Sequence, residues 1–438
     1  MSTIKQQDRT GFFSSNDWTF CIIAVWITVF YSAIIQYKYI EISNGMLILG
    51  VLVLATFLFS SIWKSYTLEQ IFTNECMWMS GFMIYMLFVG LITSPAPGKH
   101  ISQWVTSAEY MFLMIVIIAV IKDSGTDSFM LLLLIISIVT AVIFIKDPIQ
   151  IVAGRYSISP KVNLNGLGMT FTMGIWVALY YQQKKKLFTP FSLAIGAVMI
   201  YCIFKTGSRK SLIAAGVIIL LWYFFGYLPE IIKKKSKLNY IILALSVILL
   251  ISLAIVFWKL YTQSDIAARM GGLDDEVADG KRSTMYKRGW GLLLSNPLFG
   301  LGFQGYSYYY GKYSHATLVE VPVSGGILGS ILYYIIYYIS IKKCIVLYGY
   351  CRKKEDLFVQ TAEIKMMIIM WVVMLFYCTC IIHPYQFDSY IVFGLVFGKT
   401  AHIEKIISER NCIPENTQTA KKYIKTRNMT TRSKYIRI

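Results

Sequence analysis

Residues 129–145 read FMLLLLIISIVTAVIFI, an apolar run without one charged side chain. A strand of a transmembrane barrel alternates apolar and polar residues, and this run does not alternate. Its length approaches the roughly 20 residues that a helix needs to cross a bilayer. Similar runs recur near 19–37, 46–63, 76–92, 104–121, 165–181, 188–204, 211–228, 240–260, 317–340, 364–382 and 389–401. The expected fold is therefore all-α: a polytopic membrane protein with about 12 transmembrane helices.

The whole composition agrees. Of 438 residues, 56% are hydrophobic and 15% charged, with a mean hydropathy of +0.57. Soluble domains carry about 25% charged residues, so a soluble globule, a disordered chain and a disulfide scaffold are all excluded. No CxxC spacing occurs among the eight cysteines, which gives no sign of a zinc site. No transporter-type internal repeat is visible.

The formal charge is +19. In a membrane protein such an excess marks cytoplasmic loops rather than a nucleic-acid partner. Lys184, Lys185 and Lys186 lie in one connection, Lys233, Lys234, Lys235 and Lys237 in another, and Lys342, Lys343, Arg352, Lys353 and Lys354 in a third. With twelve spans these connections and both termini share one side, which the positive-inside rule makes cytoplasmic. Residues 1–18 then form a cytoplasmic N-terminal segment and 19–260 the first nine helices. Residues 261–316 form one large extracytoplasmic loop before the tenth helix, 317–401 the last three helices, and 402–438 a basic cytoplasmic tail. The location predicted is a membrane, with the lipid bilayer as the first partner.

Deep intramembrane charges are scarce, which argues against a conduction path. Polar chemistry gathers instead at the expected outer rim. Thr206-Gly207-Ser208-Arg209-Lys210-Ser211 opens an apolar helix there. Backbone N–H groups and a guanidinium at such a start suit an anion, although the same residues would also suit a plain lipid-headgroup anchor. The loop 261–316 holds an acidic cluster (Asp274, Asp275, Glu276, Asp279), a basic cluster (Lys281, Arg282, Lys287, Arg288) and a run of tyrosines including Tyr306. Residues 282–295 read as a helix stopped by Asn296-Pro297. The tyrosines suit an interfacial belt or stacking on sugar rings. His315 closes the loop and is of a type able to take a proton from a hydroxyl, with Glu320 five residues on. Glu109, just inside its span, is a further acid to consider.

Taken together these residues resemble the O-antigen ligase and polymerase family, membrane glycosyltransferases that use polyprenyl-diphosphate-linked sugars. Ser208-Arg209 is similar to the family's Ser-Arg pair at an outer helix start. Arg282, Tyr286, Pro297, Gly300 and Gly302 are similar to its arginine, aromatic and Pro-x-x-Gly-x-Gly pattern, with Arg288 as a neighbouring alternative. His315, Glu320, Gly326, Ile327, Leu328 and Gly329 resemble its third pattern, in which Ala316 replaces the usual Asn and Ser324 a frequent acid. Asn165, with Arg155 upstream, fits an Asn common before the sixth span.

The resemblance implies a polysaccharide polymerase acting on a polyprenyl-diphosphate-linked oligosaccharide at the outer face. Arg209 and Arg282 would hold the leaving diphosphate and His315 would serve as base, with Arg155, Asn165, Ser208, Arg288, Glu320, Glu109 and Tyr306 around the substrate. Transfer would be inverting and metal-independent, with no cofactor, no nucleic acid and, as further partners, other polysaccharide assembly proteins. The alternatives are a ligase that moves the finished glycan to another acceptor, a lipid-linked sugar flippase, and a non-catalytic assembly protein.

Overall fold

A computed structural model describes residues 18–35, 45–64, 72–152, 154–184, 186–229 and 276–411. Its helices are α1 (Thr19–Phe30, continued in wider turns over Tyr31–Ile35), α2 (Gly45–Lys64), α3 (Asn74–Thr93), α4 (Pro97–Ser124) and α5 (Asp127–Lys146). A hairpin of β1 (Ile149–Val152) and β2 (Arg155–Ser157) follows, antiparallel, with Ile149 opposite Ser157. Then come α6 (Leu164–Lys184), α7 (Thr189–Thr206), α8 (Arg209–Leu221, continued in wider turns over Trp222–Tyr227) and α9 (Glu276–Ser295). The chain continues through α10 (Gly305–Tyr310), α11 (Thr317–Cys351), α12 (Phe358–Tyr377) and α13 (Phe387–Asn411).

Seven of the described helices are long and apolar enough to cross a membrane, and the protein is an all-α multi-pass membrane protein. The span predicted at 240–260 lies outside the described residues, as do residues 1–17 and the tail after Asn411. Each of the other eleven predicted spans has a helix. α6 is buried along most of its length, with Trp176 and Tyr180 fully enclosed. Around it, α13 packs on α4, α11 on α3 and α1 on α2. Leu, Ile and Phe side chains on the outer faces of α2, α3 and α7 are exposed, as lipid contact requires.

Several boundaries differ from the sequence reading, among them the starts of α4 at Pro97 rather than 104 and of α9 at Glu276 rather than 282, and three helix ends. α11 runs to Cys351 rather than 340, and α13 to Asn411 rather than 401, because ion pairs hold the extensions. Lys343 meets Glu75 (3.4 Å) and Glu404 (2.8 Å), Lys405 meets Asp123 (2.8 Å), and Arg410 meets Asp356. α12 ends at Tyr377 instead of 382, because the backbone beyond it bonds elsewhere. The Cys378 carbonyl accepts from Leu318 N–H (3.2 Å) and the Ile381 carbonyl from Thr317 N–H (2.9 Å).

Helix α11 is two helices joined at Gly326, whose φ of 63° and ψ of −162° are open to glycine alone. Such a break orphans backbone groups on both sides, and within a membrane protein they must be satisfied by protein. The turn at 297–302 does this. Leu301 and Gly302 N–H groups donate to the Val323 and Ser324 carbonyls (both 2.8 Å). Ile327 and Leu328 N–H groups donate to the Pro297 (2.8 Å) and Leu298 (3.3 Å) carbonyls. A Cβ on Gly300 would lie 2.6 Å from the Ser324 carbonyl oxygen. The Pro-x-x-Gly-x-Gly pattern is therefore a splice that seals the broken helix and carries α9 and α10 against it.

Candidate active site at the hairpin end of the bundle

The ends of α7, α9 and α12, the starts of α6, α8 and α11, and the β hairpin gather at one end of the bundle. Two polar corners form there. In the first, Gly207 ends α7 in the left-handed region (φ 64°), and Ser208 caps α8 by accepting from Ser211 N–H. The Ser208 hydroxyl also donates to Asn165 Oδ1 (3.1 Å). Arg155 Nε donates to the Thr206 carbonyl (3.2 Å), and its side chain passes so close that a Cβ on Gly207 would lie 2.9 Å from its Cγ. Arg155, Asn165 and Ser208 are thus brought together by a hairpin, a helix start and a helix junction.

Arg209 and Lys210 occupy the first turn of α8, half-buried. Cations there oppose the positive end of the helix dipole, so helix stability does not explain their placement. Lys210 Nζ donates to the Cys380 carbonyl (2.9 Å), a contact that sequence spacing gave no means of finding.

The second corner centres on Glu320, which is 1% exposed. Its Oε2 accepts from the Ser314 hydroxyl (2.6 Å) and the Ser314 N–H (3.3 Å), and its Oε1 accepts from the Tyr385 hydroxyl (3.1 Å). His315 is exposed beside this group, with φ of 55°. Burial, and then the Glu320 charge, hold the Tyr385 phenol well above the ordinary tyrosine range, so it stays a donor. Burial pulls the nearby His383 imidazole down to about 3, and its Nδ1 lies 2.5 Å from the Tyr337 hydroxyl.

Segment 378–385 joins the corners. It receives Lys210 at Cys380, Thr317 at Ile381 through both N–H (2.9 Å) and hydroxyl (2.5 Å), and the Tyr286 hydroxyl at Thr379 (3.4 Å). Neither this segment nor Ser314 and Gln304 stood out in sequence. The one available signal was His383-Pro384-Tyr385 between two apolar runs.

The remaining predicted residues fall as follows. Arg282 lies on α9, but its side chain is outside the described residues, as are Asp274 and Asp275. Arg288 is exposed, with its guanidinium 4.8 Å from the centre of the Tyr310 ring. Tyr306 is fully buried and donates to the Met285 carbonyl (3.3 Å), so it offers no ring face to a sugar. Tyr308, Tyr309 and Tyr313 are the exposed rings of the run. Glu109 is exposed on α4, and no contact joins it to either corner among the described residues. The Glu320 carboxylate is engaged by Ser314 and Tyr385. Among the described residues no group of three or more His, Cys, Asp or Glu has metal-ligand geometry.

No curated protein matches the chain. Residues 194–334 match the family model for O-antigen ligase. That segment spans most of α7, all of α8 to α10 and the broken start of α11, so it holds Ser208, Arg209, Arg282, the 297–302 splice, His315 and Glu320. Over residues 194–334 this membrane protein is thus similar to the O-antigen ligase family, and the match supports kinship with the O-antigen ligase and polymerase family.

Proposed function

We propose that the protein is a polysaccharide polymerase of the bacterial inner membrane that joins polyprenyl-diphosphate-linked repeat units at the outer face. The observation that carries this reading is the joining of two chemically different corners by segment 378–385. One corner places Arg209 and Lys210 at a helix N-terminus, a setting suited to a diphosphate. The other presents His315 beside a buried carboxylate. Lys184 and Arg352 lie at the opposite end of the bundle, which supports an outward-facing hairpin end.

In this mechanism the acceptor hydroxyl oxygen attacks the anomeric carbon of the donor sugar. The bond from that carbon to the diphosphate oxygen breaks with inversion, and the carrier leaves as an anion. Arg209 and Arg282 hold the charge that develops on the diphosphate. His315 takes the proton from the acceptor hydroxyl as the new glycosidic bond forms. No metal is needed, because guanidinium groups stay charged and bind phosphate bidentately.

The test supplies purified protein with a synthetic lipid-linked repeat unit. A ladder of lengthening products is the expected outcome. One product on a distinct acceptor would make the protein a ligase. Transbilayer movement without a new bond would make it a flippase.

A further inference from the structure

Among the described residues, Gln304 (φ 68°) and His315 (φ 55°) are the non-glycine residues in the left-handed region. Side chains rarely adopt that conformation unless the surroundings impose it, and such residues gather at functional sites. Both of these turns lead to one side chain. Gln304 N–H donates to the Tyr385 oxygen (3.1 Å), and the Tyr385 hydroxyl donates to Glu320 Oε1 (3.1 Å). Glu320 Oε2 then accepts from the hydroxyl (2.6 Å) and N–H (3.3 Å) of Ser314, the residue before His315. The Tyr385 ring meets Phe303, which precedes Gln304, edge-on at 5.6 Å, and Tyr313, which precedes Ser314, at 5.9 Å.

We infer that Tyr385 is a positioning residue: with Glu320 it clamps the two left-handed turns and so fixes His315 in its working orientation. The inference rests on the proposed role of His315 as base. Tyr385 lies outside the matched stretch 194–334, so it extends the site into the connection between α12 and α13. Its hydroxyl is suited to the task because it gives its one proton to Glu320 and accepts one from Gln304. Without that hydroxyl, the Gln304 N–H and one carboxylate oxygen of Glu320 each lose a partner in a part-buried place. Both turns are then freed toward ordinary backbone conformations.

Full-length wild type, Tyr385→Phe and Ser314→Ala are compared in two measurements. The first is trypsin cleavage after Lys312, which is exposed between the two turns, followed by mass spectrometry of the folded protein. The second is kcat and KM with the synthetic lipid-linked repeat unit. Both variants should be cut after Lys312 several-fold faster. Their kcat should fall about 10- to 100-fold, as expected for a misplaced catalytic group, while KM for the donor stays within about twofold. Faster cleavage with unchanged kcat would overturn the positioning role. A lower kcat with unchanged cleavage would also overturn it, because the residue would then act other than through the turns. If wild type transfers no sugar, the polymerase reading falls, and the cleavage rates alone still decide whether the clamp exists.

Discussion

Two buried glutamates at opposite ends of the bundle show how differently one side chain can be used. Glu363, 3% exposed near the start of α12, is surrounded by charge: Lys399 at 2.6 Å and Lys184 at 3.0 Å, with the Tyr180 hydroxyl donating at 2.8 Å. Lys184 also pairs with Asp127 (2.7 Å), so the cluster ties the ends of α5, α6 and α12 to the middle of α13. Glu320, 1% exposed at the hairpin end, accepts instead from two hydroxyls and an amide. Burying a carboxylate is expensive unless it is paired and hydrogen-bonded. At Glu363 cations offset that cost, and the result is a staple. At Glu320 neutral donors from two separate segments, at Ser314 and Tyr385, offset it, and the result is an organised loop with His315 at its edge.

The largest effect that would sharpen this contrast is on turnover. His315→Ala should lower the rate of polymer formation by about 10²–10⁴-fold, the usual contribution of a positioned base, at matched membrane expression. Full activity in His315→Gln would remove His315 from the chemistry and return Glu320 to a structural role like that of Glu363.

The staple should respond in stability. Removing one partner of a buried ion pair typically costs about 3–5 kcal/mol. Lys399→Ala should therefore sharply lower the unfolding temperature in detergent, while kcat per folded molecule is preserved. If kcat falls instead and the unfolding temperature holds, the two ends do not divide structure from chemistry.

Next is the cationic corner. Arg209→Ala should cost about 2.7–4 kcal/mol of transition-state stabilisation. Arg209→Lys should rescue poorly, since a point charge lacks the planar fork. Activity should persist in EDTA. Loss on chelation and recovery with Mg²⁺ would instead turn attention to Asp274, Asp275 and Glu276.

Acidification should act through His383. Its folded-state pKa of about 3 is below its unfolded value of about 6.5, so its neutral form favours the fold. That contribution is fully present above pH 6.5 and is lost progressively as the pH falls toward 3. Between pH 6.5 and 5 the loss amounts to about 2 kcal/mol, at 1.36 kcal/mol per unit. Unfolding temperatures measured across this range should fall in wild type and fall less in His383→Gln. An equal fall in both would assign the acid sensitivity elsewhere.

The smallest effect is at Tyr306. Tyr306→Phe removes one hydrogen bond to the Met285 carbonyl, worth about 0.5–1.5 kcal/mol. It should lower the unfolding temperature slightly and leave donor KM unchanged. A raised KM would put Tyr306 back in contact with substrate.

Much of this site was legible in sequence, and what was not has a physical reason. Ser208, Arg209, the 297–302 pattern, His315 and Glu320 are recognisable because each motif is contiguous or nearly so. Asn165 was suggested by the resemblance, but its bond to Ser208 links residues 43 apart. The partners of Tyr385 and Lys210 carried no local signal: one reaches Glu320 across 65 positions and the other Cys380 across 170. The burial of Tyr306 was not legible because an aromatic run looks the same whether its rings face a groove or the core.

Composition and the spacing of apolar runs by themselves determined that the chain is an all-α membrane bundle. That much follows from a local condition, since every backbone group in hydrocarbon must be satisfied within its own segment. Only the tertiary structure decided that α11 is broken at Gly326 and sealed by residues 297–302. The same holds for the different partners of Glu363 and Glu320 and for the junction of two corners at residues 378–385. Those outcomes depend on which orphaned donors and acceptors meet across the bundle, and a linear pattern of hydropathy carries no record of such pairings.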